Sequence, residues 1–438
     1  MWTMKQTLID KVKSHDAVVG VVGLGYVGLP FAVEKAKVGF RVIGFDRSEL
    51  RAGMVNRGEN YIGDVDYSEL RECVESGKLR AVTTFEEITN VDVIVIAVPT
   101  PLNINLAPEL KYVIQVTEAI SQYLRPGQLV SLESTTFPGT TEEIMLPILE
   151  QTGLKLGEDF FLAHSPERVD PGNQRYSTKN TNKIVGGVGK DSYDVAYAFY
   201  AETIDTVVGV SSAKAAEMVK VFENTFRAVN IALVNELLKL CDRMDLNVWE
   251  VLEAANTKPF GIMRFMPGPG VGGHCIPLDP HYLEWKAREY NFVTRFIALA
   301  GEINRSMPEF VRDKVMRILN IDKKSIGGSK ILMVGVAYKK DIDDWRESPA
   351  IEVMERLKES GADVSYFDPF VESFTWKGET MTSINLDAES ISDFDLVMIT
   401  TDHSTVDYQV LVDHSKLLLD TRNATKSVSR LNERVHLL

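Results

Sequence analysis

Apolar runs that end in small or polar residues recur through the first part of the chain. Each run is followed by a segment with apolar residues at helical spacing, which predicts strands that alternate with helices. This alternation is typical of a parallel sheet with helices on both faces, whose ligands bind at the carboxyl ends of the strands. The predicted strands span residues 17–22, 41–46, 91–98, 129–133 and 160–163.

The pattern changes between residues 212 and 242, where apolar residues recur at helical spacing and neither Gly nor Pro interrupts. A helix of this length is more typical of a spine between domains than of a surface helix. Further on, the runs 330–336, 362–369 and 395–401 repeat the strand order of the first part. No Gly-x-Gly-x-x-Gly follows Val336, so this second part is predicted to bind something other than a whole dinucleotide.

Together the patterns predict an α/β protein in which two Rossmann-like, doubly wound domains are joined by a long central helix and a helical linker. We expect an N-terminal Rossmann domain at residues 1–211 and a helical linker domain with a cysteine loop at 212–320. A C-terminal Rossmann-like domain is expected at 321–438.

Composition narrows the class of protein. The 438 residues carry a formal net charge of −14, which argues against a general binder of nucleic acid or of membrane surfaces. No apolar run is long enough to predict a signal peptide or a membrane span, so we expect a cytoplasmic protein. The three cysteines, Cys73, Cys241 and Cys275, are too few for a disulfide framework and are expected to stay reduced.

A dinucleotide fingerprint follows the first predicted strand and opens a helix. Its residues are Gly23-Leu24-Gly25-Tyr26-Val27-Gly28. In this context the glycines permit a tight turn, close approach of a pyrophosphate and close helix packing. Asp46 ends the second strand, where a carboxylate suits the ribose hydroxyls of NAD. Arg47 and Arg51 nearby leave NADP open, and another nucleotide is the alternative.

The stretch 268–279 holds Cys275 in a glycine-rich loop, with Asp279 four residues later. Such a loop can present a thiolate as a nucleophile, although a packed thiol is the alternative. His274 and His281 lie close by, but without further ligands at suitable spacing they do not predict a metal site.

Other polar residues stand at positions where chemistry is possible. Lys220 and Asn224 share one face of the long helix. They are interpreted either as a pair that binds a developing charge or as part of a solvated polar face. Glu167 follows a predicted strand. It is interpreted either as an acid/base or water-positioning carboxylate or as an ordinary surface glutamate. In the second α/β part, basic residues at strand ends and before a helix favour phosphate binding; they are Lys339, Lys340, Arg346 and Arg422.

These residues resemble the UDP-sugar 6-dehydrogenases, the family of UDP-glucose and UDP-N-acetylmannosamine dehydrogenases, over nearly the whole chain. Seven motifs occur in the order of that family. They are Val22–Pro30, Val98–Pro101, Glu133–Thr136, Ser165–Arg168, Lys220–Asn224, Gly272–Cys275 and Arg346–Pro349. The resemblance implies an N-terminal domain that binds NAD, a helical linker that forms a homodimer, and a C-terminal domain that holds a UDP-sugar.

The resemblance also implies a reaction. The C6 hydroxyl of the sugar is oxidised to an aldehyde, Cys275 adds to it, a second oxidation gives a thioester, and water releases the acid. Lys220 is similar to the residue that stabilises the oxyanion with Asn224, and Asp279 to the carboxylate that moves protons to or from water. The implied catalytic residues are Cys275, Lys220, Asn224, Asp279, Thr135 and Glu167.

The remaining implied contacts concern cofactor and substrate. The implied cofactor contacts are Gly23, Gly25, Tyr26, Val27, Gly28, Asp46, Arg51, Pro99, Thr100, Thr135 and Arg346. The implied substrate contacts are Glu167, Arg168, Lys220, Asn224, Arg264, Gly270, Gly272, Tyr338, Lys339 and Arg422. Whether Arg168 or Arg264 reaches the substrate stays open.

The loops Thr257–Gly261 and Pro267–Gly270 look like those of the N-acetylhexosamine branch, most of all UDP-N-acetylglucosamine 6-dehydrogenases. Leu278 and Asp170-Pro171 depart from the glucose-type pattern, which has Lys and Glu there. UDP-glucose and UDP-N-acetylmannosamine dehydrogenases are the near alternatives. A two-electron β-hydroxyacid dehydrogenase and a non-catalytic nucleotide sensor are alternatives of other classes, and neither would need Cys275.

Overall fold

A computed structural model describes residues 3–63, 65–169, 173, 175–429 and 432–438. The chain divides into two compact units. Unit 1 comprises Met1–Glu223 and His281–Val293, and unit 2 comprises Asn224–Pro280 and Thr294–Leu438. The division at 211 and 320 into three domains stays a prediction.

Unit 1 contains an eight-stranded sheet with helices along it. Its strands are β1 (Val18–Val22), β2 (Arg41–Phe45), β3 (Leu79–Val82), β4 (Val93–Ile96), β5 (Gln128–Leu132), β6 (Phe160–His164), β7 (Lys183–Gly187) and β8 (Val207–Gly209). Its helices are α1 (Met4–Lys13), α2 (Gly28–Lys37), α3 (Glu49–Asn56), α4 (Tyr67–Glu75), α5 (Lys111–Ser121), α6 (Leu146–Glu150) and α7 (Lys190–Ala201).

The strand order in this sheet is β3-β2-β1-β4-β5-β6-β7-β8. The first six strands follow the order of a dinucleotide-binding fold. Strands are added on one side of β1 up to β3 and on its other side from β4 onward, so the switch in strand order lies between β1 and β4. Neighbouring strands pair in parallel, except that β7 runs antiparallel to β6. Alternate residues of β4 enter separate hydrophobic clusters: Val93 and Val95 one, Ile94 and Ile96 the other. The sheet is therefore covered on both faces, which explains its continuous apolar runs.

Helix α8 (Ala213–Met244) has 32 residues and is about 48 Å long. It contributes its first eleven residues to unit 1 and the rest to unit 2. Because no Gly or Pro interrupts the sequence, the predicted spine helix forms without a break.

Unit 2 contains a five-stranded sheet in the order β10 (Asp363–Phe367), β9 (Lys330–Val334), β13 (Leu396–Ile399), β14 (Leu418–Asp420) and β15 (Val435–Leu437), all pairs parallel, and a separate hairpin of β11 (Ser373–Trp376) and β12 (Glu379–Thr382). The helices are α9 (Val248–Ala255), α11 (Arg295–Arg305), α12 (Met307–Leu319), α13 (Pro349–Glu359), α14 (Ala388–Asp393) and α15 (Tyr408–His414). Helix α10 (Asp279–Ala287) begins in unit 2 and continues into unit 1.

The aspartate that follows β10 is fully occupied by hydrogen bonds within unit 2. Asp368 occupies the position that corresponds to Asp46, but its carboxylate accepts hydrogen bonds from the backbone N–H groups of Val336, Ala337, Phe370 and Val371. The ring Nε2 of His403 lies 3.1 Å from the same carboxylate, and both side chains are fully buried. A carboxylate with all of its acceptor sites in use cannot bind a ribose.

The predicted fold class is confirmed: the chain is α/β, with two Rossmann-like parallel sheets and a long central helix. The sequence pattern missed the short strands β3, β7, β8 and β15 and the hairpin of β11 and β12, which are three to five residues long. In the part of the chain that the structure describes, no helix combines the length and the apolar character needed to cross a membrane.

Candidate active site

The predicted dinucleotide loop connects β1 to the first turn of α2. Gly23 has φ 93°, and a side chain at Gly28 would place its Cβ 1.8 Å from the carbonyl oxygen of Gly23. Glycine is therefore required at both positions by the backbone itself. A Cβ at Gly25 would meet no heavy atom within 4 Å, so Gly25 faces open space. The loop is closely packed at Gly23 and Gly28 and accessible at Gly25, which suits the binding of the NAD pyrophosphate at the N-terminus of α2.

Asp46 follows β2 beside this loop. Its Oδ2 accepts from the backbone N–H of Leu24 at 3.0 Å, and its Oδ1 accepts from that of Ser48 at 2.9 Å. A carboxylate has about four acceptor sites, so these two bonds leave capacity for the two ribose hydroxyls. Arg51 lies 3.9 Å from Asp46 and is half exposed. Tyr26 is exposed and Val27 half-buried, one residue before α2.

The ends of β4 and β5 are joined by side-chain hydrogen bonds. Thr100 Oγ1 donates to the carbonyl of Thr135 at 2.7 Å, and Ser134 Oγ bonds both the N–H and the carbonyl of Val98. The Tyr282 hydroxyl on α10 donates to the carbonyl of Thr100. These bonds bring Thr100 and Thr135 together at the carboxyl end of the sheet, and Pro99 is exposed in the segment between β4 and Thr100.

Glu167, after β6, is held at both oxygens. Its Oε1 accepts from the N–H groups of Arg168 and Val169 at 2.7 and 2.6 Å, and its Oε2 lies 3.1 Å from Lys183 Nζ. Burial opposes ionisation, but the charge of Lys183, these hydrogen bonds and the charge of Lys220 outweigh it and hold the pKa of Glu167 below its ordinary value. Glu167 is thus an ionised carboxylate, suited to accept a proton or to orient water.

Arg168 is engaged within unit 1. Its guanidinium donates to both carboxylate oxygens of Glu223 at 3.2 and 2.5 Å and to the carbonyl of Asn182 at 2.6 Å. Since these bonds take three of its five N–H groups, Arg168 fits a clamp on α8 better than a substrate contact. Arg264, the other candidate, is exposed in unit 2.

The first turns of α8 are anchored by Glu217, which the sequence analysis did not single out. Its carboxylate accepts from the N–H groups of Gly139 and Thr141 at 2.5 and 2.8 Å and from the Thr141 hydroxyl at 2.6 Å. Burial raises the pKa of Glu217 to about 7, although these hydrogen bonds lower it. Lys220 lies one turn later on the same helix and is half-buried, so the bonds of Glu217 also hold the part of α8 that carries Lys220.

The cysteine loop of unit 2 is fixed through its backbone. The N–H of Gly268 donates to Asn235 Oδ1 at 3.0 Å, and that of Gly273 donates to the carbonyl of Glu347 at 3.1 Å. A Cβ at Gly272 would lie 2.8 Å from Pro349 and 2.9 Å from Tyr338. The loop therefore lies flat against the segment before α13, which only glycine permits.

The predicted group around Cys275 comes together in unit 2. Cys275 is exposed, and its carbonyl accepts from the N–H groups of Leu278 and Asp279 at the start of α10. Asp279 Oδ2 accepts from Asn224 Nδ2 at 2.5 Å, and both side chains are buried. The face of α8 that carries Asn224 is thus not a solvated stripe, and its amide is oriented by the carboxylate next to the thiol loop.

Asp344 joins the cysteine loop to Arg346. Its carboxylate accepts from Arg346 Nε and Nη2 at 2.8 and 2.7 Å, and Nε2 of His274 lies 3.0 Å away. Burial opposes ionisation, but the bonds from Arg346 and His274 outweigh it and hold the pKa of Asp344 well below its ordinary range. His274 therefore has a carboxylate partner, and no group of three or more metal-ligating side chains occurs among the described residues.

The other predicted substrate contacts of unit 2 surround the same loop. The ring of Tyr338 packs against Gly273 and lies edge-on to His274 at 5.9 Å. Arg422 donates to the carbonyl of Thr400, and its guanidinium lies against Gly268. Gly270 is buried, with φ 147°, and Lys339 is half-buried next to Tyr338. Asp170 and Pro171 lie outside the described residues.

Sequence reasoning missed Lys183, Glu217 and Asp344. Lys183 acts on Glu167 from a different strand, so no spacing along the chain connects the two, and Asp344 lies two residues before Arg346 but belongs to no pattern that marks it. The one available signal was the position of Glu217, one turn before Lys220 on the same helix.

Three family models match the chain in order. They are the NAD binding domain of the UDP-glucose/GDP-mannose dehydrogenase family at residues 17–204, its central domain at 214–306 and its UDP binding domain at 332–427. The chain belongs to this family. The predictions of family, of an NAD-dependent enzyme and of NAD as cofactor are confirmed at that level.

The chain is similar throughout to named relatives. It is 35% identical to a UDP-N-acetyl-D-mannosamine dehydrogenase of Methanococcus maripaludis, with 92% of each chain covered. It is 36% identical to a UDP-N-acetyl-D-glucosamine 6-dehydrogenase of Pseudomonas aeruginosa, with 81% of this chain and 83% of that one covered. The solved structure of a UDP-D-ManNAc dehydrogenase from Pyrococcus horikoshii matches with a TM-score of 0.87 and 32% identity, covering 96% of this chain and 98% of that one.

Alanine at Gly25 and alanine at Gly28 should both weaken NAD binding, but they should differ in their effect on stability. Gly28→Ala places a methyl group against the Gly23 carbonyl, so we expect a loss of about 1–3 kcal/mol of stability and of NAD binding. Gly25→Ala adds a methyl group in open space, so stability should change by less than about 0.5 kcal/mol while NAD binding weakens. Urea unfolding and calorimetric titration with NAD measure both, and full NAD affinity in Gly25→Ala would contradict the placement of the pyrophosphate.

Glu217 predicts a pH-dependent stability. Because its pKa is raised in the folded state, protonation stabilises the fold fully below pH ~4.5, and this contribution is lost as the pH rises through about 7. The loss amounts to roughly 3 kcal/mol. Glu217→Gln should remove most of this decline between pH 5 and pH 8 in urea unfolding. Glu150→Gln, an exposed control on α6, should decline like the wild type, and an equal decline in Glu217→Gln would refute the assignment.

Proposed function

We propose that this protein oxidises the C6 hydroxyl of a UDP-N-acetylhexosamine to the carboxylate, through a covalent adduct on Cys275. The observation that carries the proposal is the arrangement in unit 2 of an exposed thiol, an oriented amide and a buried carboxylate. Cys275 presents the thiol, and its backbone carbonyl accepts the N–H of Asp279 at the start of α10. The side chain of Asn224 donates a hydrogen bond to the carboxylate of Asp279.

Each residue has a chemical task in this reaction. The Cys275 thiolate attacks the C6 aldehyde and forms the carbon–sulfur bond of a thiohemiacetal, whose oxygen takes up the negative charge. Lys220 and Asn224 donate hydrogen bonds to that oxygen, which stabilises the charge as it develops. Asp279 accepts or returns the proton of the attacking water when the thioester is cleaved, and the thiol of Cys275 is regenerated.

The glycine loop and Asp46 would hold NAD, which would supply the hydride acceptor for both oxidations, so two NADH should form per sugar. Thr135 and Glu167 position the water that releases the acid. Glu167 is suited to this because its ionised carboxylate is fixed by two backbone N–H groups.

The sugar that we propose is N-acetylglucosamine, because the loops Thr257–Gly261 and Pro267–Gly270 resemble that branch. N-acetylmannosamine is the second candidate, supported by the name of a relative that matches 92% of this chain, against 81% for the N-acetylglucosamine enzyme. The UDP binding domain at residues 332–427 supports a UDP-linked substrate in either case.

The proposal predicts a stoichiometry. Purified protein with NAD and a panel of UDP-sugars should form two NADH per sugar consumed, with UDP-N-acetylglucosamine preferred. One NADH per sugar would indicate a two-electron dehydrogenase, and tight NAD binding without turnover of any sugar would indicate a nucleotide sensor. NADH absorbance and mass spectrometry of the product measure both quantities.

Variants of Cys275 test the covalent step in the same assay. Cys275→Ala should lower acid formation by about 10³-fold or more. In Cys275→Ser, aldehyde or a trapped adduct should accumulate, because an alkoxide is a poorer leaving group than a thiolate. Cys241→Ala, which removes a buried thiol of α8, is the matched control and should turn over like the wild type.

The exposed apolar residues of the helical region support a homodimer. Leu233 and Leu240 on α8 are 62% and 52% exposed, and Phe296 and Leu299 on α11 are 80% and 52% exposed. The two helices are joined by Asn304, which bonds Asn235 and the carbonyl of Ala228. An exposed apolar face of this kind is typical of a surface that a second copy covers.

We therefore expect Leu233→Asp combined with Phe296→Asp to convert the dimer to a monomer in sedimentation-velocity experiments at micromolar protein. Ile104→Asp, a charge placed at a residue that is 97% exposed in unit 1, is the control and should remain dimeric. A wild-type protein that sediments as a monomer would end the dimer proposal.

A further inference from the structure

A buried charged cluster lies behind Glu167 in unit 1. Lys183, the first residue of β7, places its Nζ 3.1 Å from Glu133 Oε2 and 3.1 Å from Glu167 Oε2. The side chain of Glu133 is fully buried, that of Lys183 is 4% exposed and that of Glu167 is 14% exposed. One lysine is thus shared by two carboxylates, and only the second of them reaches the surface.

The far side of the cluster is closed by hydrogen bonds. Glu133 Oε1 accepts from the Tyr200 hydroxyl at 2.9 Å, and that hydroxyl lies 2.8 Å from Ser131 Oγ. Glu133 directly precedes the Ser134–Thr136 turn, so the cluster links the end of β5 to the end of β6. Replacing a buried group here leaves an uncompensated charge, which is why such clusters are rare unless each charge is paired.

We propose that Lys183 is a positioning residue for the oxidation, which keeps Glu167 ionised and fixes its carboxylate for the water that releases the acid. The inference rests on the proposed function, in which Glu167 positions that water. Lys183 does this at Oε2, while the backbone of Arg168 and Val169 fixes Oε1.

The two carboxylates that share Lys183 differ in their surroundings. Burial raises the pKa of Glu133, and the charge of Lys183 only partly offsets it. Glu167 has two backbone donors in addition to Lys183, and its pKa is lowered. The shared lysine therefore favours ionisation at the carboxylate that reaches the surface.

Other charged and titratable groups near Glu167 do not replace Lys183. Lys35 is fully buried close by, but its Nζ donates to the carbonyl of Phe199 at 2.6 Å, and burial holds its pKa well below the ordinary value. His164 is fully buried, and burial lowers its pKa to about 3. Lys220 adds its charge from α8 at longer range. The remaining groups of the cluster are Glu133 and Tyr200.

The experiment compares the pH dependence of kcat in Lys183→Met, Lys183→Arg, Glu133→Gln and Lys35→Met. Without its cation Glu167 binds a proton more tightly, so in Lys183→Met the acidic limb of the profile should move up by about one pH unit or more. At neutral pH kcat should fall by about 10²-fold, with KM for the UDP-sugar changed much less. Lys183→Arg should restore most of the rate and the wild-type limb.

The controls separate a positioning role from a structural one. Lys35→Met removes another buried lysine of the same core and should leave the acidic limb where it is. Glu133→Gln retains Lys183, so the midpoint of the acidic limb of its kcat profile should lie at or below the pH of the wild-type midpoint. An unmoved limb in Lys183→Met, or an equal upward shift in Glu133→Gln or in Lys35→Met, would overturn the proposal.

A second measurement does not depend on turnover. The unfolding free energies of Lys183→Met, Glu167→Gln and the double variant should be non-additive, with the double variant less destabilised than the sum of the single ones. If the wild type oxidises no UDP-sugar, the proposed function fails, while this coupling still decides whether Lys183 holds Glu167. Additive losses would overturn the role of Lys183 even in an active enzyme.

Discussion

The position of the exposed Cys275 depends on one backbone contact, the docking of the cysteine loop on the segment that leads into α13. Gly273 donates to the carbonyl of Glu347, and Gly272 lies so close to Pro349 that a methyl group would collide with it. Glu347 itself has φ 52°, a strained value for a residue with a side chain. A thiol on a free loop would sample many orientations, whereas here its direction is set by the C-terminal sheet that also carries the UDP binding domain.

The two Rossmann-like sheets show how one topology can serve two ligands. Both sheets end their second strand in an aspartate, Asp46 in unit 1 and Asp368 in unit 2. Asp46 accepts two backbone hydrogen bonds and retains acceptor capacity, whereas Asp368 accepts four and faces His403. The two aspartates differ in how many of their acceptor sites are occupied, and of the two only Asp46 retains capacity for a further hydrogen bond.

Features written in local sequence could be predicted, and features that depend on distant elements could not. The parallel strands, the spine helix, Asp46 and the Cys275 loop each follow from a short pattern, because periodicity and glycine spacing act over a few residues. Strands as short as β8 carry too little periodicity to be recognised. Lys183 stands beside Glu167 only after β7 joins the sheet, and Arg168 pairs with Glu223 on a distant element, so no local pattern predicts either contact. Glu217 and Asp344 lie within three residues of Lys220 and Arg346, but no motif marks them.

The buried charges of unit 1 are poorly explained as a device for stability. An ion pair in a core gains little over apolar packing, because desolvation offsets the attraction. Phe31 and Tyr200 already surround Lys183 with aromatic surface, so apolar side chains in place of the whole charged cluster would find ready packing partners. The lysine is instead bonded to the one carboxylate of the cluster that reaches the surface at the carboxyl end of the sheet. A charge kept where packing alone would suffice is best accounted for by the ionisation state that it imposes on its neighbour.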